Sequence, residues 1–186
     1  VNSIKDLIKK GAYIMSEFSE SYHLKTDKQQ IVVELIKGSN KQGYVFPEKN
    51  GWVTFILKGQ AFNIDESIIS LNPSVLIHYI YAEDHGWDLR IFNKSEIAFE
   101  YGCNWTEEIQ IEKSHFDLYF LNELIISQGN STDGIESLFD IDEDIFDLDE
   151  PPAFLIAQKL GLTYYEWLSE DYIDLSDLAE NILLVD

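Results

Sequence analysis

Val75-Leu76-Ile77-His78-Tyr79-Ile80-Tyr81-Ala82-Glu83, then Asp84-His85-Gly86, then Trp87-Asp88-Leu89-Arg90-Ile91-Phe92 is the stretch that decides the fold. Two β-branched and aromatic runs flank a short loop whose glycine suits a left-handed turn, the pattern of an antiparallel hairpin. Asn93-Lys94-Ser95 supplies a second turn, and Glu96–Cys103 a third strand. A three-residue first loop sets Tyr81 opposite Leu89 and Tyr79 opposite Ile91. The second loop sets Ile91 opposite Ile97 and Leu89 opposite Phe99. All six are apolar, so one face of this meander, residues 75–103, packs on a core. The other face carries His78, Ile80, Asp88, Arg90, Phe92 and Glu100, and its mixed polarity predicts partial exposure, with Arg90 in cross-strand ion pairs.

Upstream, Ser21–Lys25, Gly43–Phe46 and Trp52–Leu57 read as strands, the last two joined through Pro47–Gly51. Thr26 and Gln29 have capping-box spacing before the helical stripe Ile31, Val32, Leu35 and Ile36. Asp65 caps a short helix that Asn72-Pro73 ends. Downstream, Ser114 and Asp117 again have capping-box spacing, ahead of Phe116, Leu118, Phe120, Leu121, Leu124 and Ile125. The expected fold class is α+β: an antiparallel sheet of five to six strands, covering helices, and an acidic helical C-terminal region.

That last region carries most of the charge. The chain has 186 residues and a formal net charge of −21. From Thr132 onward the bases number one, Lys159, among sixteen acids, for a local charge of −15. Large apolar residues run through the acids, and Leu138, Ile141, Ile145 and Leu148 recur at helical spacing, so the segment reads as folded and not as a solvated tail. Pro151-Pro152 interrupt it, Ala153–Leu160 forms another helix closed by Gly161, and Thr163 caps a third. The organisation expected is a body over 15–128, a Gly-Asn-Ser linker over 129–134, and an acidic region over 135–186 packed on or appended to the body.

Residues 1–14 read either as a short amphipathic helix or as translated leader ahead of a bacterial start at Met15. A single cysteine, Cys103, excludes an internal disulfide, and a cytoplasmic setting follows from that and from the absence of a signal-like apolar run. The strongly negative charge argues against nucleic acid as a partner, and the longest apolar runs, such as Val75–Ala82, are too short to span a bilayer.

No motif specifies a chemistry. Asp140, Asp142 and Asp144 alternate as in a calcium-binding loop, but Ile145 stands where the turn needs glycine and Pro151 where a bidentate Glu closes the site. Ile156–Thr163 resembles the opening of a helix-turn-helix, yet the following Glu166, Glu170 and Asp171 repel phosphate, so a packed helical hairpin is expected there instead. Asp84 and His85 form the most enzyme-like pair, a carboxylate beside an imidazole on a loop, without a fixed nucleophile. His78 reads as a structural, hydrogen-bonded histidine, and His23 and His115 as isolated. No cofactor or metal is expected.

The leading expectation is an acidic binding protein that engages a basic protein partner, resembling immunity proteins and antitoxins in size and charge alone. Its contact residues are Asp140, Asp142, Glu143, Asp144, Asp147, Asp149 and Glu150, with Phe146 and Trp167 as hydrophobic anchors. The alternatives are a small hydrolase-like enzyme on the Glu83–Trp87 loop and a structural module that forms a homodimer.

Overall fold

A computed structural model describes residues 16–60, 62–141, 149–173 and 181–186. Positions 1–14, and with them the leader or helix expected there, lie outside the described residues, as do Asp142, Glu143, Asp144, Phe146 and Asp147.

The chain is α+β and builds one antiparallel sheet. Its strands are β1 (Phe18–Lys25), β2 (Gly43–Val45), β3 (Trp52–Leu57), β4 (Val75–Ala82), β5 (Gly86–Asn93), β6 (Glu96–Asn104), β7 (Gln110–His115) and β8 (Leu183–Val185). The helices are α1 (Gln29–Gly38), α2 (Glu66–Leu71), α3 (Leu118–Ser127) and α4 (Pro152–Lys159). The order across the sheet is β7-β6-β5-β4-β1-β3-β2-β8. The sheet therefore has eight strands, not five or six. The two extra strands are its edges, β7, in which every residue is exposed, and β8, only three residues long.

The meander forms with a corrected register. Tyr79 pairs with Leu89 and Tyr81 with Trp87, because Ala82 and Gly86 already belong to the ladder and the loop is Glu83-Asp84-His85. That slip is two residues, so each side chain keeps its face. Between β5 and β6, Ile91 pairs with Phe99 and Leu89 with Tyr101, and a bulge at Ile91/Phe92 then pairs Phe92 with Ile97. The bulge sends Ile97 to the opposite core.

Both faces are covered. The first buries Tyr79, Tyr81, Leu89, Ile91 and Phe99 beneath Leu121 and Ile125 of α3, Phe139, and Phe154, Ile156 and Ala157 of α4. The second buries Tyr22, Leu24, Phe55, Leu76 and Phe92 beneath Val32 and Ile36 of α1 and Ile68 and Ile69 of α2. The partial exposure expected for the second face is thus corrected at His78, Ile80 and Phe92, which are buried. It holds for Asp88, Arg90 and Glu100.

Local signals place several ends. Asp65 accepts from the Ser67 and Ile68 amides and caps α2, as its spacing predicts. Asp117 does the same for Tyr119 and Phe120 at α3, whereas Ser114, its expected capping partner, lies in β7. At α1 the capping box is not made: Lys28 is the cap residue, and Thr26 Oγ1 instead accepts weakly from the Lys28 amide at 3.3 Å. Asn50 and Gly51 both take positive φ (55° and 79°), closing the β2–β3 hairpin with a Lys49–Trp52 bridge.

The acidic third is only partly helical where it is described. A 3₁₀ turn spans Glu136–Phe139, and α4 follows with Pro152 at its start. The helix expected after Thr163 is absent, and with it the helical hairpin. The reason is visible in the main chain. Leu168 accepts from the Glu20 amide at 2.9 Å and its own amide donates to Ser19 Oγ at 3.0 Å, so the segment runs along the open end of β1. Residues 129–134 are tied to α4, with Asn130 donating to the Lys159 carbonyl at 2.8 Å and Lys159 Nζ to those of Ser131 and Asp133.

Candidate functional site

The second core stops at Leu76 and Phe92, and beyond it the same sheet face carries polar side chains in register. One row reads His78, Arg90, Glu100, His115, and the next reads Ile80, Asp88, Gly102, Glu112. Ala82, Gly86, Asn104 and Gln110 form the third. Residues of the last two rows, with Phe62 and His85, line a trough of about 390 Å³. That volume lies within the range of small-ligand pockets.

Gly102 shapes the floor. A Cβ there would sit 2.6 Å from Asp88 Oδ1 and 4.0 Å from the Glu112 Cβ, so glycine leaves the room that the Asp88 carboxylate occupies. Burial raises the Asp88 carboxyl above its ordinary range, opposed by the Arg90 guanidinium and reinforced by Glu112 and Glu100. Arg90 Nε donates to Glu100 Oε1 at 3.1 Å, the cross-strand pair expected for it, and a terminal guanidinium nitrogen lies 3.7 Å from Asp88 Oδ1 on its own strand. His115 approaches Glu100 at 3.8 Å and so is not isolated.

At the inner end of the trough a buried carboxylate holds one wall. Glu20 is 1% exposed; its Oε1 meets His78 Nε2 at 3.0 Å, and its Oε2 accepts from the Phe62 amide at 2.8 Å. Phe62 takes φ 59°, and its ring packs edge-on against Phe18 at 4.3 Å while remaining 47% exposed. A bulky residue in the left-handed region is uncommon, and here the buried carboxylate fixes it. His78 is thus the hydrogen-bonded structural histidine its strand position predicts.

The other face holds a second buried polar set. His23 Nε2 lies 2.9 Å from Ser21 Oγ and its Nδ1 2.9 Å from Thr54 Oγ1, with all three side chains buried. Burial, helped by nearby His78, lowers the imidazole pKa to about 3, so the ring is neutral with both nitrogens satisfied. His23 is therefore not isolated, and its role is to stitch β1 to β3.

The pair singled out as enzyme-like is only half assembled. His85 is exposed and lines the trough. The Asp84 carboxylate turns away to accept from the Ser16 hydroxyl and does not orient the imidazole. Cys103 pairs with Trp87 in the sheet, and burial pushes its thiol up, keeping it protonated.

The predicted partner-binding residues have separate fates. Asp140 is exposed and pairs with Lys113 at 2.9 Å. Asp149 is exposed, and Glu150, half-buried, accepts from Gln158 Nε2. Trp167 is half-buried against Tyr172, with ring centroids 5.6 Å apart, and its amide donates to Glu17 at 2.9 Å. The residues that line the trough are scattered along the sequence and share no motif. Gly102, inside the expected third strand, is the available signal, since such a glycine marks a close approach.

No protein-family model, curated protein or solved structure matches the chain. Among the described residues no helix is long and apolar enough to cross a membrane, and no group of His, Cys, Asp and Glu is arranged to hold a metal ion.

Proposed function

We propose that the chain is a cytoplasmic, non-enzymatic binding protein that captures a basic protein partner through a folded negative surface. One observation carries the reading. In the acidic third the apolar residues Ile135, Phe139, Phe154 and Ile156 are sunk into the first core, while Asp133, Glu136, Asp140 and Asp149 stay exposed. Lys159, the sole base of this third, is engaged with main-chain carbonyls. Among the described pairs the body answers only Asp140, through Lys113, and Asp186, through Lys58, which leaves most of that charge unbalanced. Acids fixed on a packed scaffold steer a cationic partner more effectively than a tail, and the gain is chiefly in association rate.

Affinity capture from the source cell at low salt supplies the partner, whose association is then followed by surface plasmon resonance. Converting Asp140, Asp142, Glu143, Asp144, Asp147, Asp149 and Glu150 to their amides slows association roughly tenfold or more at low salt. The same change has little effect at high salt, where a Debye length of about 3 Å near 1 M screens it. An association rate at low salt that ignores these changes refutes the proposal. The hydrolase reading keeps one supporting observation, His85 on the rim of the trough.

A further inference from the structure

We propose that the trough is a subsite for one arginine side chain of the basic partner, held between Asp88 and Glu112 and against Phe62. The inference rests on the binding reading above but names a different surface from the acidic third. Four features converge on it. The register places Asp88, Gly102 and Glu112 side by side on β5, β6 and β7, and the Asp88 carboxylate lies over Gly102 on the side of Glu112. Alternate strands stand roughly 10 Å apart, a gap that carboxylates leaning inward reduce to one spanned by a planar guanidinium.

The charge of the site is also unbalanced. Asp88, Glu100 and Glu112 share this face with Arg90, which already pairs with Glu100 at 3.1 Å and approaches Asp88 at 3.7 Å. Among the described residues Glu112 has no ion-pair partner, and its charge disfavours ionised Asp88. A cation between them relieves that repulsion. The rim offers an aromatic surface, since Phe62 is exposed yet locked in place by Glu20. Aromatic stacking together with paired carboxylates suits guanidinium better than ammonium. Finally, about 390 Å³ accommodates a side chain with its apolar stem, lying along Ile80 and Ala82.

The test uses the full chain labelled with ¹⁵N and titrated at low salt with N-acetyl-arginine amide. The citrulline analogue, of the same shape without charge, is the control. Saturable shifts at the Asp88, Gly102 and Glu112 amides, with millimolar affinity, are expected for arginine and not for citrulline. Glu112→Gln alters an exposed side chain and leaves the fold intact; it weakens arginine binding about tenfold, the loss of one charge-assisted hydrogen bond. Asp88→Asn does the same where it folds. Absence of saturable shifts, equal binding of citrulline, or indifference to Glu112→Gln overturns the assignment. If arginine binds here while partner association ignores the acidic-third amides, the subsite stands and the steering surface falls. If association obeys those amides but arginine does not bind, the subsite alone is lost.

Discussion

Acidification should loosen this fold through one ring. His23 is wholly buried, and its pKa falls from the ordinary 6.5 to about 3 because the charged form has no water around it. The unfolded chain takes up a proton near pH 6.5, whereas the folded chain does not until about pH 3. Folded pKa lies below unfolded pKa, so this contribution is complete above 6.5 and drains away as pH falls toward 3. Each pH unit in that window withdraws about 1.4 kcal/mol, and the whole window about 5 kcal/mol, a large share of the roughly 5–15 kcal/mol that holds a domain together. Carboxylates add their own acid sensitivity, so the measurement is a difference. His23→Gln retains an amide able to bridge Ser21 and Thr54 but cannot titrate. Urea unfolding of both proteins near neutral pH and about two units below 6.5 should show wild type losing about 3 kcal/mol more than the variant. A gap between the two that stays constant with pH refutes the assignment of a neutral, proton-refusing imidazole.

Two further substitutions probe the walls of the trough. Glu20→Ala strands His78 Nε2 and the Phe62 amide in the interior and is expected to cost about 3–5 kcal/mol in chemical denaturation, with Glu20→Gln milder; a loss under about 1 kcal/mol contradicts the buried hydrogen-bond pair. At Gly86, φ is 145° and a Cβ would fall 1.9 Å from the Cys103 carbonyl oxygen, so Gly86→Ala must displace a strand and costs more than about 3 kcal/mol. Gly129→Ala meets nothing within 4 Å and carries only the left-handed penalty of about 1 kcal/mol; equal losses at the two sites would show that crowding at Gly86 is not what matters.

The meander was legible because its face depends only on alternation. Taking the β4–β5 loop one residue too late moved the partners of Tyr79 and Tyr81 by two, an even slip that leaves the core intact. The β5–β6 bulge is an odd slip, and nothing in Phe92–Ile97 announces it, so Ile97 was given the wrong core. Edge strand β7 is not legible in the sequence, since Gln110-Ile-Glu-Lys-Ser-His carries charges and no alternation. Thr163 has the chemistry of a cap, but the residues after it serve two cores and not one helix face: Tyr165 meets Phe154 at 5.4 Å, and Leu168 joins Phe46 and Ile56. The trough is a product of strand order and of where the helical cover stops, and neither is written locally. Glu20 and His78 lie far apart in sequence, and only the β1–β4 pairing brings them together.

Pairing of β8 with β2 decides how much open edge the sheet offers. Without Leu183–Val185, strand β2 presents Gly43–Val45 as an open edge, with Val45 part of the apolar second core. Pairing with β8 covers that edge, and the three residues of β8 then form the rim of the sheet, too short to template much foreign pairing. The strand acts as a clasp: without it, β2 becomes the rim beside the apolar second core and invites edge-to-edge association.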